Sequence, residues 1–204
     1  EIHERLVGSE MCIRDSINRT HDQSFEELRR IRESFPELQL CIGMATTFGC
    51  PFEGIPDLDK VLRFVERIRS CDVDTVYLAD TIGIADPAQV RRTVKSIIER
   101  FPDTKMQVHI HDTRGMGLVN TLAAIEAGVD TVQSTLGGLG GCPFAPGASG
   151  NTATEDLVYM LQRMGYDTGI DFERLLALSK EQHAEIDGIY SGHQMNIAAK
   201  SPCC

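Results

Sequence analysis

Two histidines, His109 and His111, stand on either side of Ile110, and Asp112 follows at once. The residues leading up to them, 105–110, form a short run of strand length. Side chains alternate faces along a strand, so positions i and i+2 point the same way. At a strand end the two imidazoles would enter one mouth together, with nitrogens able to converge on a single cation. Asp112 adds a carboxylate that could fix an imidazole tautomer from behind. The plainer alternative is a pair of histidines flanking an isoleucine on a partly exposed strand end.

A second constellation runs over residues 137–151, where six of fifteen residues are glycine and Pro143 and Pro146 punctuate the rest. Such a segment continues neither helix nor strand. It can bring backbone close to a ligand, and it can hinge. Gly140 and Gly141 lead into Cys142, which Pro143 follows. A buried structural cysteine does not need that setting. Asn151 closes the run just before a helix. It suits an N-cap, and it also suits a neutral oxygen ligand for a hard cation. Thr152 with Glu155 fits a capping box.

These groups need a scaffold, and hydrophobic periodicity supplies one. Residues 22–35 read as an amphipathic helix with Phe25, Leu28 and Ile31 on one face, and Ser24 with Glu27 fits a capping box at its start. Further helices are expected over 57–70, from Asp86-Pro87 to before Pro102, and over 116–127, 152–164 and 171–187. Strands are expected over 38–46, 73–78, 105–110 and 129–134. Strand and helix thus alternate four times, the pattern of βαβ units and a parallel sheet. Val76, Leu78 and Val108 are expected to face inward. Unusual polar residues gather just past the strands' C-terminal ends, at Thr46-Thr47-Phe48-Gly49-Cys50, at Ala79-Asp80-Thr81-Ile82-Gly83 and at His109 to Asp112. In parallel α/β proteins that edge carries the ligand. The dinucleotide fingerprint G-x-G-x-x-G after a strand is absent, which favours a (β/α)8 TIM barrel. Such a barrel takes about 250 residues. Four strands in 204 residues imply its C-terminal half, about strands 5–8.

Residues 1–16 mix charged and apolar types without a period and resemble translated adapter sequence, so they read as a non-native leader. Residues 17–190 read as the C-terminal part of one barrel domain, and 191–204 as an uninformative tail.

Composition narrows the function classes. The chain is 42% hydrophobic and 25% charged, with a net charge of -10, and no basic run exceeds an Arg pair. Nucleic-acid binding needs clustered Lys and Arg, so no nucleic-acid partner is expected. No apolar stretch approaches the ~20 residues of a membrane helix, and no signal peptide is visible. A cytoplasmic protein without a membrane partner is the expectation. The seven cysteines include no CxxC pair, which disfavours a zinc knuckle. Buried thiols in a reducing compartment are expected for all but Cys142.

The motifs resemble those of hydroxymethylglutaryl-CoA lyases. The resemblance rests on His109-Ile110-His111-Asp112-Thr113, Gly115, Asn120, the cysteine loop, and residues 151–156. Phe48-Gly49-Cys50-Pro51-Phe52-Glu53-Gly54 and Asp80-Thr81-Ile82-Gly83 add to it, and the likeness spans about residues 17–190. The resemblance implies a (β/α)8 barrel that cleaves 3-hydroxy-3-methylglutaryl-CoA to acetyl-CoA and acetoacetate with Mg2+ or Mn2+. It implies metal ligands at His109, His111 and Asn151, a catalytic-loop cysteine at Cys142, and an acidic residue lining the site at Asp80. A further ligand, an Asp beside a catalytic Arg on the first strand, has no counterpart here. Arg14-Asp15 lies in the suspect leader, without a preceding strand. An acyl-CoA substrate is the expected partner, and a homo-oligomer is compatible.

The residue types suit that chemistry. Cleaving a 3-hydroxyacyl thioester means removing the hydroxyl proton, and a cation on that oxygen lowers the cost of the alkoxide. The departing thioester enolate needs a proton, which a thiol in a closing loop can deliver. Isopropylmalate or homocitrate synthases share a His-x-His pair but usually carry Gly-x-Gly-Glu-Arg where this chain has Gly138-Leu139-Gly140-Gly141-Cys142-Pro143. A citramalyl-CoA lyase with the same machinery stays open, as does an inactive fragment or a metal-binding module.

Overall fold

The computed structural model describes residues 2–7, 20–141 and 150–197. Five strands, β1 (Ile2–Val7), β2 (Leu40–Ala45), β3 (Thr75–Asp80), β4 (Lys105–Ile110) and β5 (Thr131–Gln133), form one parallel sheet whose spatial order is the chain order. Between them lie helices α1 (His21–Ser34), α2 (Leu58–Arg69), α3 (Pro87–Arg100) and α4 (Gly117–Ala127); α5 (Thr154–Arg163) and α6 (Phe172–Glu185) follow β5. Each βα unit steps one strand further in the same direction. A doubly wound sheet would reverse at a switch point; this sheet does not, so it is a wall of a (β/α)8 barrel.

Periodicity foresaw four of the five strands. The fifth is β1, which pairs with β2 along its whole length, from Ile2↔Leu40 to Val7↔Ala45. Its His3-Glu4-Arg5 triplet breaks any apolar alternation, and parallel pairing needs only an extended backbone. The leader expected over 1–16 therefore joins the sheet at Ile2–Val7.

The two faces of the sheet have different jobs. Ile42, Met44, Val76, Leu78, Met106, Val108 and Ile110 pack with helix residues such as Phe25, Leu28, Val65, Ile68, Val90 and Ile97 in one continuous core. Fully burying an aliphatic or aromatic side chain of this kind stabilises by about 1.5–3 kcal/mol. Val76, Leu78 and Val108 thus face the helices and not the barrel interior, contrary to expectation. Strands buried on both faces read as continuous apolar runs, so composition alone cannot tell the two faces apart. The opposite face carries Cys41, Tyr77, Ala79, Gln107 and His109. Register sets this layer: Tyr77 pairs with Gln107, Ala79 with His109, and His109 with Gln133.

Helix ends follow local chemistry. Thr20 caps α1 in a capping box with Gln23, four residues ahead of the expected Ser24 and Glu27 pair, because the helix begins at His21. Asp86 caps α3 by accepting from the Ala88 and Gln89 amides, with Pro87 in the first turn. Among the described residues no helix is long and apolar enough to cross a membrane.

Candidate active site

β4 delivers both histidines to the C-terminal edge of the sheet. His109 lies on the inner face, and His111 follows just past the strand, where it forms an isolated antiparallel bridge with Asn151. The two Nε2 atoms stand 3.1 Å apart. Nitrogens sharing one cation at right angles, at ~2.1 Å each, stand about 3 Å apart. His109 Nδ1 lies 3.0 Å from Gln133 Oε1. Gln133 Nε2 in turn donates to Gln107 Oε1 at 2.7 Å, which leaves the oxygen end of the Gln133 amide for the imidazole. That amide orientation suits the His109 tautomer with its proton on Nδ1, which leaves a lone pair on the Nε2 turned to His111.

Asn151, bridged to His111 through the backbone, is the third expected site residue. Its Nδ2 donates to the Leu139 carbonyl at 3.1 Å, while its Oδ1 is buried without a hydrogen-bond partner. An orphaned buried amide oxygen costs roughly 1–3 kcal/mol unless something fills its place, and a hard cation prefers such an oxygen. The close fit around this amide depends on two glycines. A Cβ on Gly140 (φ 118°) would lie 2.8 Å from Asn151 Nδ2, and one on Gly150 (φ 99°) would lie 2.5 Å from the Gly138 carbonyl. Two imidazole nitrogens plus an amide oxygen fit a divalent cation such as Mn2+ or Mg2+. Among the described residues no three His, Cys, Asp or Glu side chains form a metal-binding group.

Asn151 and Thr152 cap nothing. The N-cap of α5 is Ala153, without a side-chain bond, and the Thr152 hydroxyl donates to the Ile110 carbonyl instead. Glu155 is fully buried. It accepts from the Gly137 amide at 2.9 Å and from the Ser179 hydroxyl at 2.8 Å. It therefore ties the glycine-rich loop to α6 and is not half of a capping box. Its neighbour Asp156 accepts from the His193 and Gln194 amides and pairs with His193 Nδ1. The tail is thereby part of the site's frame over 191–197: the Ser191 and Gly192 amides donate to the Gly137 carbonyl, and the Ser191 hydroxyl donates to the Asn151 carbonyl.

Two acidic residues sit in burial that raises their pKa. Asp80 is fully buried. Desolvation pushes it up, against the Ile84 and Ala85 amides that its carboxylate accepts. Its register neighbour is Ile110, so it closes the loop after β3 on the helix-facing side of the strand. Asp112 is raised by burial too; its carboxylate accepts from the Gly117 amide at 2.6 Å and anchors the start of α4.

Gly140 and Gly141 lie at the edge of the described loop, and Cys142 lies outside the described residues. Cys41, Cys50 and Cys71 are buried thiols. Sequence reasoning missed Gln107, Gln133, Asp156 and Ser191. The two glutamines had a signal, since polar amides at period 2 on a barrel strand interrupt an apolar run. The tail residues had none.

Known proteins resemble this chain in sequence and fold. Residues 1–181 match the HMGL-like family. A hydroxymethylglutaryl-CoA lyase of Bacillus subtilis is 38% identical over 177 residues, covering 86% of this chain and 59% of that protein. An (R)-citramalyl-CoA lyase of Chloroflexus aurantiacus is 39% identical over 181 residues, covering 87% of this chain and 57% of that one. The solved structure of an HMG-CoA lyase from Acinetobacter baumannii, in complex with coenzyme A and 3-methylmalate, superposes with a TM-score of 0.86 at 38% identity and covers 98% of this chain and 68% of its own. The chain spans somewhat more than half the length of these two curated relatives. With its one-way parallel sheet, its paired histidines and its glycine-rich loop, it belongs to the HMGL-like family.

Proposed function

We propose that this chain carries the metal-binding and loop portion of a carbon–carbon lyase that cleaves 3-hydroxy-3-methylglutaryl-CoA to acetyl-CoA and acetoacetate. One observation carries the reading: the facing Nε2 atoms of His109 and His111, with an orphaned Oδ1 on Asn151, whose backbone is bridged to His111. Mg2+ or Mn2+, when bound, supplies charge that stabilises the substrate alkoxide and orients it. His109 and His111 offer lone pairs, and Asn151 offers a neutral oxygen. Glu155 keeps the loop's start in place. Cys142, carried in that loop, gives its thiol proton to the carbon of the departing thioester enolate, and loop closure keeps bulk water from that carbanion. Asp80 acts from behind, holding the loop after β3.

A second substrate stays in play because the relative at 39% identity is named for (R)-citramalyl-CoA. Both substrates are 3-hydroxyacyl thioesters, and the same bond order change releases acetyl-CoA with acetoacetate from one and pyruvate from the other. The test is to express the complete gene product, add Mn2+ or Mg2+, and follow both ketoacids. Acetoacetate release that requires the metal supports the main reading. Pyruvate release alone reassigns the substrate, and turnover unaffected by metal removal overturns the proposal.

A further inference from the structure

We infer that Gln107 and Gln133 are positioning residues for His109: Gln107 sets which end of the Gln133 amide meets the imidazole, and so which nitrogen of His109 is left unprotonated for a cation. The inference rests on the metal reading above and extends it to residues that touch neither substrate nor metal.

The layer in which they sit is unusual. Barrel interiors are commonly packed with branched apolar side chains. Here the inner face of β4 and β5 carries two half-buried amides directly beneath the histidine pair. Partly desolvated amides are costly unless their donors and acceptors are matched, and in the orientation of this structure they are matched at each step. The Cys41 thiol lies 3.9 Å from Gln107 Oε1. Gln107 Oε1 accepts from Gln133 Nε2, and Gln133 Oε1 faces His109 Nδ1 at 3.0 Å, an acceptor for the tautomer protonated there. Reverse the Gln133 amide, and its nitrogen faces Nδ1. Nδ1 must then lose its proton, Nε2 must carry one, and the nitrogen turned to His111 can no longer ligate. Gln107 opposes that reversal as long as the Cys41 thiol keeps the Gln107 oxygen in place, because the two amide oxygens would then meet. The acceptor behind His109 is also a neutral amide and not a carboxylate, so it orients the ring while adding little to its basicity.

Binding of Mn2+ alone to the complete protein, read from the electron paramagnetic resonance of the unbound ion, tests this without any turnover. Gln133→Leu and Gln107→Leu should each weaken Mn2+ binding about 10- to 100-fold, and the double variant should be no worse than the weaker single, because both break one relay. Gln133→Glu should bind at least as tightly as the parent. His111→Ala separates the two levels. If His111→Ala loses Mn2+ while both Leu variants stay within twofold of the parent, the relay is wrong and the metal reading stands. If the parent binds no Mn2+, or His111→Ala binds it normally, both fall. A readout on the unsubstituted protein guards against misfolded variants: 15N shifts of His109 in the metal-free state should show the proton on Nδ1, and a proton on Nε2 overturns the inference.

Discussion

The hydroxyl of Ser191 donates to the backbone carbonyl of Asn151 at 2.7 Å, so the segment after α6 holds the residue whose amide oxygen is buried and without a hydrogen-bond partner. The same segment is held in place by the Gly137 carbonyl, and the Gly137 amide by Glu155. A buried carboxylate on α5 thus controls the loop, the tail and a candidate ligand together.

Replacing Glu155 with Ala leaves two buried donors, the Gly137 amide and the Ser179 hydroxyl, without an acceptor. At about 1–3 kcal/mol for each, the melting temperature should fall by roughly 5–15 °C. Glu155→Gln keeps one acceptor and should fall less. Thermal denaturation of the complete protein decides; a Glu155→Ala melt within 2 °C of the parent (~2 °C being below the smallest effect expected from these principles) contradicts the role.

Cys142→Ala should lower kcat by about 10²- to 10⁴-fold while KM moves only a few-fold, because the thiol acts on the enolate and not on the bound ground state. Steady-state kinetics on the complete enzyme supplies the answer. A near-parental kcat would reduce the loop to a simple cover.

Stability should depend on pH through Asp80. Burial raises its folded-state pKa above the ordinary value of about 3.9. Between those two values the folded chain holds a proton that the unfolded chain has released, so stability falls as pH rises. The protein gains nothing from this group above the folded pKa and is favoured most below the unfolded one. Denaturant titrations from about pH 4 upward should show the falling slope, and Asp80→Asn should flatten it. Equal slopes in both proteins would remove Asp80 as the source.

The 204-residue chain, made by itself, should neither cleave the thioester nor stay monomeric. Among the described residues β1 and β5 end the sheet with one row of backbone groups unpaired, and open edges invite association. The inner face, with Tyr77, Gln107 and His109, is only partly covered by the described residues, and among them no Asp or Glu joins the two histidines, which weakens Mg2+ most. Light scattering and an acetoacetate assay check this together. Metal-dependent turnover by a monomer would show that the described strands suffice.

Much of this was legible in the residues. Period 2 put His109 and His111 on one edge, and glycine density marked the loop around Asn151. The bounds of α3 follow from Asp86-Pro87 and Pro102. Other features were not legible for physical reasons. Val76, Leu78 and Val108 could face either way, since both faces of a parallel strand are buried. Thr152 and Glu155 match a capping box in spelling, but tertiary partners 42 and 18 residues away took their side chains. Ser191 and Gln133 act through contacts 40 and 24 residues distant, which no local pattern encodes.

The placement of His109 on β4, with His111 just past its end, has a consequence for how such a chain can change over time. Side chains on a strand alternate strictly, so inserting or deleting one residue within β4 turns the whole outer row inward. His109 and Gln107 would swing into the helix layer, and Ile110 and Val108 would take the mouth. The loops on either side tolerate length changes far more easily. Descent with insertions and deletions can therefore reshape the rim and the tail of this protein, but the six residues of β4 (Lys105–Ile110) can vary only by substitution.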